Sequence, residues 1–340
     1  MSLSELLKVR YPLLQAPMAA ANDSRMAIEV SRAGALGALP CALLSPERLR
    51  EELAGIRAAG AGPVNVNFFC HTPPPADPAR EAAWRERLDV YYRELGAADA
   101  PPGPGRSPID EATWAIVEGF RPEVVSFHFG LPEPGLLARV RASGAKILAS
   151  ATTAAEARWL EQRGCDAIIA QGAEAGGHRG MFLDDDPSRQ VGTFALVPQV
   201  VDAVKVPVIA AGGVMDARGI RAALALGASG VQLGTAYLFC PEATLTERHR
   251  QRLASATSDD TVITNVFSGR PARSFANRLV RELGPISPLA PAFPLASAAL
   301  APLKGGEEEF QPQWSGQGAP LGRSRGAYEL TVELCRAFGA

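Results

Sequence analysis

The stretch KILASATTAAEARWLEQRGCDAIIAQ, Lys146–Gln171, reads as a strand, a helix and a second strand. Lys146–Ala149 and Ala167–Ala170 are strand-length runs without polar/apolar alternation, the pattern of strands buried on both faces. Thr153 opens the intervening amphipathic segment as a helix cap, Glu156 stands at the capping-box spacing, and Gly164 closes it. Two strands joined through a helix pair in parallel, so the unit is βαβ.

The same alternation extends to both sides. Further strand candidates are Leu13–Ala16, Leu36–Leu39, Val64–Phe69, Val124–Phe129, Val206–Ala211 and Gly230–Gly234, giving eight in all. Helical patterns such as SRMAIEVSRAG (24–34), SPERLREELAGIRAAG (45–60) and DARGIRAALALG (216–227) lie between them, opening at Ser or Asp and ending at Gly. Eight such strands point to an α/β fold, a TIM (β/α)₈ barrel of about 250 residues with decorations. A doubly wound sheet shares the periodicity, but no early GxGxxG accompanies it. The barrel is expected over 1–70 and 108–254. Residues 71–107, with the Pro-rich HTPPPADP and DAPPGPGRSP, and 255–340, with GPISPLAPAFP and a final helix over 327–338, are expected to form a lid or cap over one barrel mouth.

Composition narrows the function classes. The chain has 340 residues, 47% hydrophobic and 21% charged, which is globular. Thirty-four Lys+Arg against 36 Asp+Glu leave a net charge of −2, with no basic footprint for nucleic acid or an anionic membrane. The N-terminal segment shows no basic run followed by an apolar one, and the apolar runs are strand-sized. Five scattered cysteines suggest neither a disulfide framework nor a CxxC pair. These features lead to the expectation of a soluble, reduced, cytoplasmic protein. HExxH, GxxxxGK[ST] and acid–histidine clusters at metal spacing are absent, so no metal site is expected. The one GxSxG match, GRSRG at 322–326, follows no strand and reads as chance.

In a barrel, chemistry sits at the C-terminal ends of the strands. There the sequence places Gly212 and Gly213 after the seventh strand and Gly234 and Thr235 after the eighth, the usual position of a phosphate site. Gln171 ends the sixth strand and opens QGAEAGGHRG, in which Glu174 and Arg179 are either ligand-facing or solvated. Asn65 and Asn67, two apart in VNVNFF, share one face, Asn67 nearer the mouth if that face is interior. His128, ending SFH, is the general-base candidate and His178 the second. His71 reads as a loop residue, and His249, in TERHRQR, as part of a solvated helix face.

These residues resemble a family, the FMN-dependent nitronate monooxygenases. The likeness is carried by QAPMA (15–19), AGALG (33–37), VNVNFF (64–69), SFHFGLP (126–132), the run from Lys146 through AQGAEAGGHRG, PVIAAGGV (207–214) and GVQLGTAYL (230–238). WSGQG (314–318) is similar to the family's WAGQG. The resemblance implies a TIM barrel with non-covalent FMN contacted by Asn67, Gln171, Gly176, Gly213 and Gln232, Leu233, Gly234 and Thr235. Backbone around Pro17 and Met18 would pass the ring, and His128 matches the catalytic base. It further implies oxidation of alkyl nitronates, and of nitroalkanes after proton removal by His128, with O₂ to carbonyl compounds and nitrite. An NAD(P)H-dependent FMN reductase on the same scaffold, or a flavin-binding barrel without turnover, is the rival. The chain departs from the family before WSGQG, where Phe293 replaces an expected Tyr and Lys304 is the only lysine. Tyr91, Tyr92 or Tyr237 are alternatives for lining the pocket. An apolar C-terminal helix suggests a possible homodimer.

Overall fold

In the computed structural model, residues 1–97, 106–305 and 308–339 are described. Part of the Pro-rich DAPPGPGRSP, residues 99–105, lies outside the described residues. The strands in chain order are β1 (Leu13–Gln15), β2 (Gly37–Pro40), β3 (Val64–Phe69), β4 (Val124–His128), β5 (Lys146–Ala151), β6 (Ala167–Gln171), β7 (Gly177–His178), β8 (Val208–Ala211), β9 (Gly230–Leu233), β10 (Thr261–Thr264) and β11 (Ala272–Phe275). Eight of them pair in parallel in the order β1-β9-β8-β6-β5-β4-β3-β2. A parallel bridge between Leu14 and Leu36 joins β1 to β2 and closes the ring. Every strand expected from the sequence is present, with ends shifted by one or two residues, so the barrel reading stands and the doubly wound rival falls.

The barrel carries two apolar layers. Outward-facing strand residues such as Leu13, Val66, Phe127, Ile168 and Val231 join the surrounding helices in the largest core. Inward-facing Leu14, Leu36, Val124, Leu148, Ile169 and Ile209 form a second cluster with Leu3, Leu6 and Leu7 of the N-terminal helix Leu3–Leu7. That helix plugs the end of the barrel at which the strands begin. Each of its three leucines contributes roughly 1.5–3 kcal/mol by leaving water. Gly230, opening β9, makes room for it, since a Cβ there would stand 2.5 Å from Leu3 Cδ2.

The expected capping box at Thr153 is half formed. Thr153 Oγ1 accepts from the Glu156 N–H, but the Glu156 carboxylate turns away from the cap. Buried at 1% exposure, it accepts from the Thr152 N–H at 2.6 Å, the Thr152 hydroxyl at 2.8 Å, and the Phe182 and Leu183 N–H groups at 2.6 and 3.2 Å. A buried carboxylate takes the densest set of donors within reach, and here those lie at Thr152 and on the loop after β7.

The decorations share a core of their own. Trp84, Leu88, Tyr91 and Tyr92 of the helix Pro78–Glu94 pack with Phe267, Leu279, Leu300 and Phe310 of the C-terminal segment. Tyr92 donates to the Ala299 carbonyl at 2.6 Å and Tyr91 to Glu282 at 2.9 Å. Arg278 clasps Glu94 through both guanidinium nitrogens, at 2.6 and 2.8 Å. β10, β11 and β7 form a small antiparallel sheet, so the loop after β6 is stitched to this segment. The last helix, Ala327–Cys335, departs from the cap expected over 255–340. Leu330, Leu334 and Cys335 join the barrel core, and the helix packs against Ser24–Arg32. Its apolar face is thus covered within the chain and offers no support for a homodimer. The five cysteines are unpaired. Among the described residues, no helix is long and apolar enough to cross a membrane, and no cluster of potential metal ligands occurs.

Candidate active site

A cavity of about 420 Å³ opens at the C-terminal ends of the strands. Of the residues expected at a site, Pro17, Met18, Asn67, His128, Gln171, Gly176, Gly212, Gly213, Gln232, Gly234 and Thr235 all line it. Leu233 does not. Its side chain points outward into the helix-facing core, and only its carbonyl, accepting from Ala16 N at 2.8 Å, meets the loop after β1. Strand alternation dictates this, because Gln232 and Leu233 are neighbours and must face opposite ways.

Asn67 faces the interior, its amide donating to the Ser126 hydroxyl at 2.9 Å and to the Ser126 carbonyl at 3.2 Å. Gln171 folds the following loop back over the barrel: its amide nitrogen donates to the His178 carbonyl at 3.0 Å and its oxygen accepts from Gly180 N at 2.7 Å. Arg179 is fully buried rather than solvated, donating to the Gln171 carbonyl and to Gln190, each at 2.8 Å. Glu174 accepts from the Thr193 hydroxyl at 2.8 Å and its N–H at 2.8 and 2.9 Å. Both charged residues of QGAEAGGHRG therefore brace the loop.

His128 ends β4, its ring 4.5 Å from that of Phe129 between centroids. His128 Nε2 lies 3.1 Å from the His178 carbonyl oxygen. A carbonyl only accepts, so Nε2 carries the proton and Nδ1 keeps the lone pair of the neutral ring. Gly180 covers the edge between them, where a Cβ would stand 3.0 Å from Cε1. Burial pushes the imidazole down to about 3, so His128 is neutral across the ordinary pH range. The other histidines shift the same way, burial first among the causes: His178 well below its usual range, His249 to about 4, and His71 downward.

His178 is a β7 residue bonded to the Ser268 hydroxyl at 2.8 Å, its ring tilted against that of Trp314. His71 is a loop residue, as expected, but buried, meeting the Arg106 carbonyl at 3.2 Å. His249 departs from the solvated face expected for it. It is 8% exposed and lines the cavity, with Leu253 buried beside it. The two stand four apart and share one helix face, which was the available signal. The tyrosines do not line the cavity: Tyr91 and Tyr92 belong to the cap core, and Tyr237 is buried against the Thr331 hydroxyl at 2.8 Å. Sequence reasoning also missed Arg106, Trp314 and the segment 244–246, all on the wall.

The mouth fits a flavin. Gln232 Oε1 is buried without a partner, an acceptor waiting for a donor such as a ribityl hydroxyl or the ring N–H. Gly212 and Gly213 have φ of 107° and 73°, which bends the backbone after β8 as a side-chain-bearing residue rarely can. Gly176 lies against Ser315 and Gly316 closely enough that a Cβ would stand 2.5 Å from Gly316 N.

A mouth with a glycine-walled rim, an unpartnered acceptor and a neutral histidine at a strand end suits a flavin-dependent oxidoreductase built on a TIM barrel. Comparison with known proteins agrees. A family model described as "Nitronate monooxygenase" matches residues 1–336. A nitronate monooxygenase of Pseudomonas aeruginosa is 40% identical over 97% of each chain, and one of Paraburkholderia phytofirmans is 41% identical over 98% of this chain and 94% of its own. A solved nitroalkane oxidase from Streptomyces ansochromogenes superposes with a TM-score of 0.89 at 34% identity, covering 100% and 99% of the chains. FabK from Thermotoga maritima follows at 0.75 and 26%, over 100% and 96%. The chain belongs to the nitronate monooxygenase family.

Proposed function

We propose that the chain binds FMN in this mouth and oxidises alkyl nitronates, with O₂, to carbonyl compounds and nitrite. The observation that carries the reading is the neutral His128, with its lone pair on Nδ1, in the same cavity as the glycine rim and the orphaned Gln232 oxygen. The flavin supplies the redox chemistry when bound. The protein's part is to hold, orient and exclude. Gly212, Gly213, Gly234 and Thr235 hold the phosphate end, Gln232 and Asn67 meet donors and acceptors of the ring and its chain, and the Pro17–Met18 backbone runs along it. For a neutral nitroalkane, His128 Nδ1 takes the proton from the carbon bearing the nitro group. No nucleic acid or membrane partner enters this reading, and the location proposed is cytoplasmic.

Two substrates decide it. The purified flavoprotein is mixed anaerobically with ethyl nitronate or with NAD(P)H while the visible flavin band is followed. Bleaching by the nitronate alone is expected. Bleaching by NAD(P)H alone transfers the protein to the reductases. The cofactor residues have their own test in Gly176→Ala. The added methyl meets the backbone of Ser315 and Gly316, neither the end of a flexible side chain. Overpacking costs about 1–3 kcal/mol, so FMN affinity measured by fluorescence titration is expected to fall roughly ten- to hundredfold. Unchanged affinity removes Gly176 from the cofactor site.

A further inference from the structure

The cavity wall holds one arginine and no lysine among the described residues, Arg106. No hydrogen bond or ion pair of its side chain to a described residue occurs; its one recorded bond is through the carbonyl, to His71. Burial moves its guanidinium downward, and no carboxylate among the described residues offsets it. Two other arginines show the contrast. Arg278 holds Glu94 and Glu282, and Arg179 donates to Gln171 and Gln190. A half-buried, unanswered guanidinium is costly in an empty site and valuable once an anion arrives.

Its position says which end of the cavity that anion occupies. Arg106 follows β3, and the segment is fastened there by Ile109 N donating to the Phe69 carbonyl at 3.0 Å. In the ring of eight strands, β3 lies four places from β8 and so across the barrel from Gly212 and Gly213. The guanidinium therefore sits far from the rim assigned to a phosphate. It sits at the histidine end: its carbon is 5.8 Å from the Phe293 ring, which is 5.4 Å from His178, while Phe69 is 6.1 Å from His128.

We propose that Arg106 is a substrate-binding and specificity-determining residue that takes a planar two-oxygen anion, the nitronate group itself or a carboxylate on the same substrate, in the forked geometry of its guanidinium. Nitronate and carboxylate share this shape, with two oxygens on one planar centre, and an arginine fork matches both. The inference rests on the nitronate reading above and adds a preference for the charged substrate over its neutral nitroalkane. Phe69, Phe129 and Phe293 form the adjacent apolar cluster, so the charge has one polar anchor and an apolar surround.

The test compares wild type, Arg106→Gln and Arg106→Lys as FMN-loaded enzymes at fixed ionic strength. A charge-assisted bidentate contact corresponds to roughly ten- to hundredfold in binding. Arg106→Gln is expected to raise KM for ethyl nitronate by that factor with kcat nearly kept, to leave KM for neutral nitroethane unchanged, and to be partly rescued in Arg106→Lys. If KM rises only for a nitronate bearing a terminal carboxylate, the anchor holds the carboxylate. Equal KM shifts for charged and neutral substrates, or none, overturn the proposal. A second readout is independent of turnover. Sodium propionate is expected to raise the melting temperature of wild type above that in equimolar sodium chloride, and to lose this effect in Arg106→Gln. If wild type oxidises no nitronate, the functional reading fails while the propionate shift still decides the anion site: retained in Arg106→Gln, or absent from wild type, it ends the proposal.

Discussion

His128→Gln is expected to bind FMN and oxidise ethyl nitronate at close to the wild-type rate while losing about 10²–10⁴-fold in kcat/KM on nitroethane. Glutamine keeps an N–H able to reach the His178 carbonyl, now met by His128 Nε2 at 3.1 Å, and lacks the basic lone pair that Nδ1 provides. The nitronate arrives already deprotonated, so only the neutral substrate needs the base. Because the imidazole is pushed down to about 3 by burial, its basic form is present through the whole working range. The pH profile of wild type on nitroethane is therefore expected to show no loss from His128 protonation above about pH 5, two units above that value. Steady-state rates on both substrates check this. Equal loss on the two removes His128 from the base role and leaves it as a positioning group.

The second large effect is on stability. The chain has four histidines, and all four are held below their usual range by burial. Lowered folded values mean that the unfolded chain binds protons the folded one refuses. The stabilisation is complete above the unfolded value near 6.5 and is lost as pH falls toward the folded values, about 3 for His128 and about 4 for His249. Each proton contributes about 1.4 kcal/mol per pH unit. His128 and His249, at about 3 and about 4, together approach about 3 kcal/mol per unit near pH 5, and His71 and His178 add the same sign. Asp110, Asp216 and Glu282, held below their usual range chiefly by side-chain hydrogen bonds, add the same sign at lower pH. Urea unfolding at pH 7 and pH 5 measures the slope. His249→Phe is expected to flatten it by one proton. A free energy of unfolding equal at the two pH values contradicts the burial of these imidazoles as neutral groups.

The sequence was most legible where local rules govern. The run AIIAQ announces a two-faced strand ending in a polar group, and β6 ends at Gln171 as that pattern predicts. Gly212–Gly213 and Gly234–Thr235 announce strand-end turns, and both rim the cavity. Legibility failed where a polar side chain had two possible partners. Glu156 stood at capping-box spacing, yet donors 26 and 27 residues away claimed it. His249 lies among Arg248, Arg250 and Arg252, a context that reads as solvated, yet its face packs inward by virtue of a segment more than 60 residues later, at Gln311–Trp314.

What the amino-acid sequence determined by itself is the barrel: eight apolar strand runs, their capped helices, and the order in which glycine turns and His128 reach one mouth. These follow from periodicities of two and 3.6 residues and from turn chemistry, all local. The tertiary structure alone decided the walls of the site. β7 pairs with β11, His178 meets Ser268, and the helix Pro78–Glu94 joins the C-terminal segment across a common core. It also decided that Arg106 faces the cavity with no ion pair to a described residue and that Leu330 and Leu334 cover the barrel. Such pairings are settled by which buried polar groups find partners and which apolar faces find cover, a competition among distant segments that no window of the sequence contains.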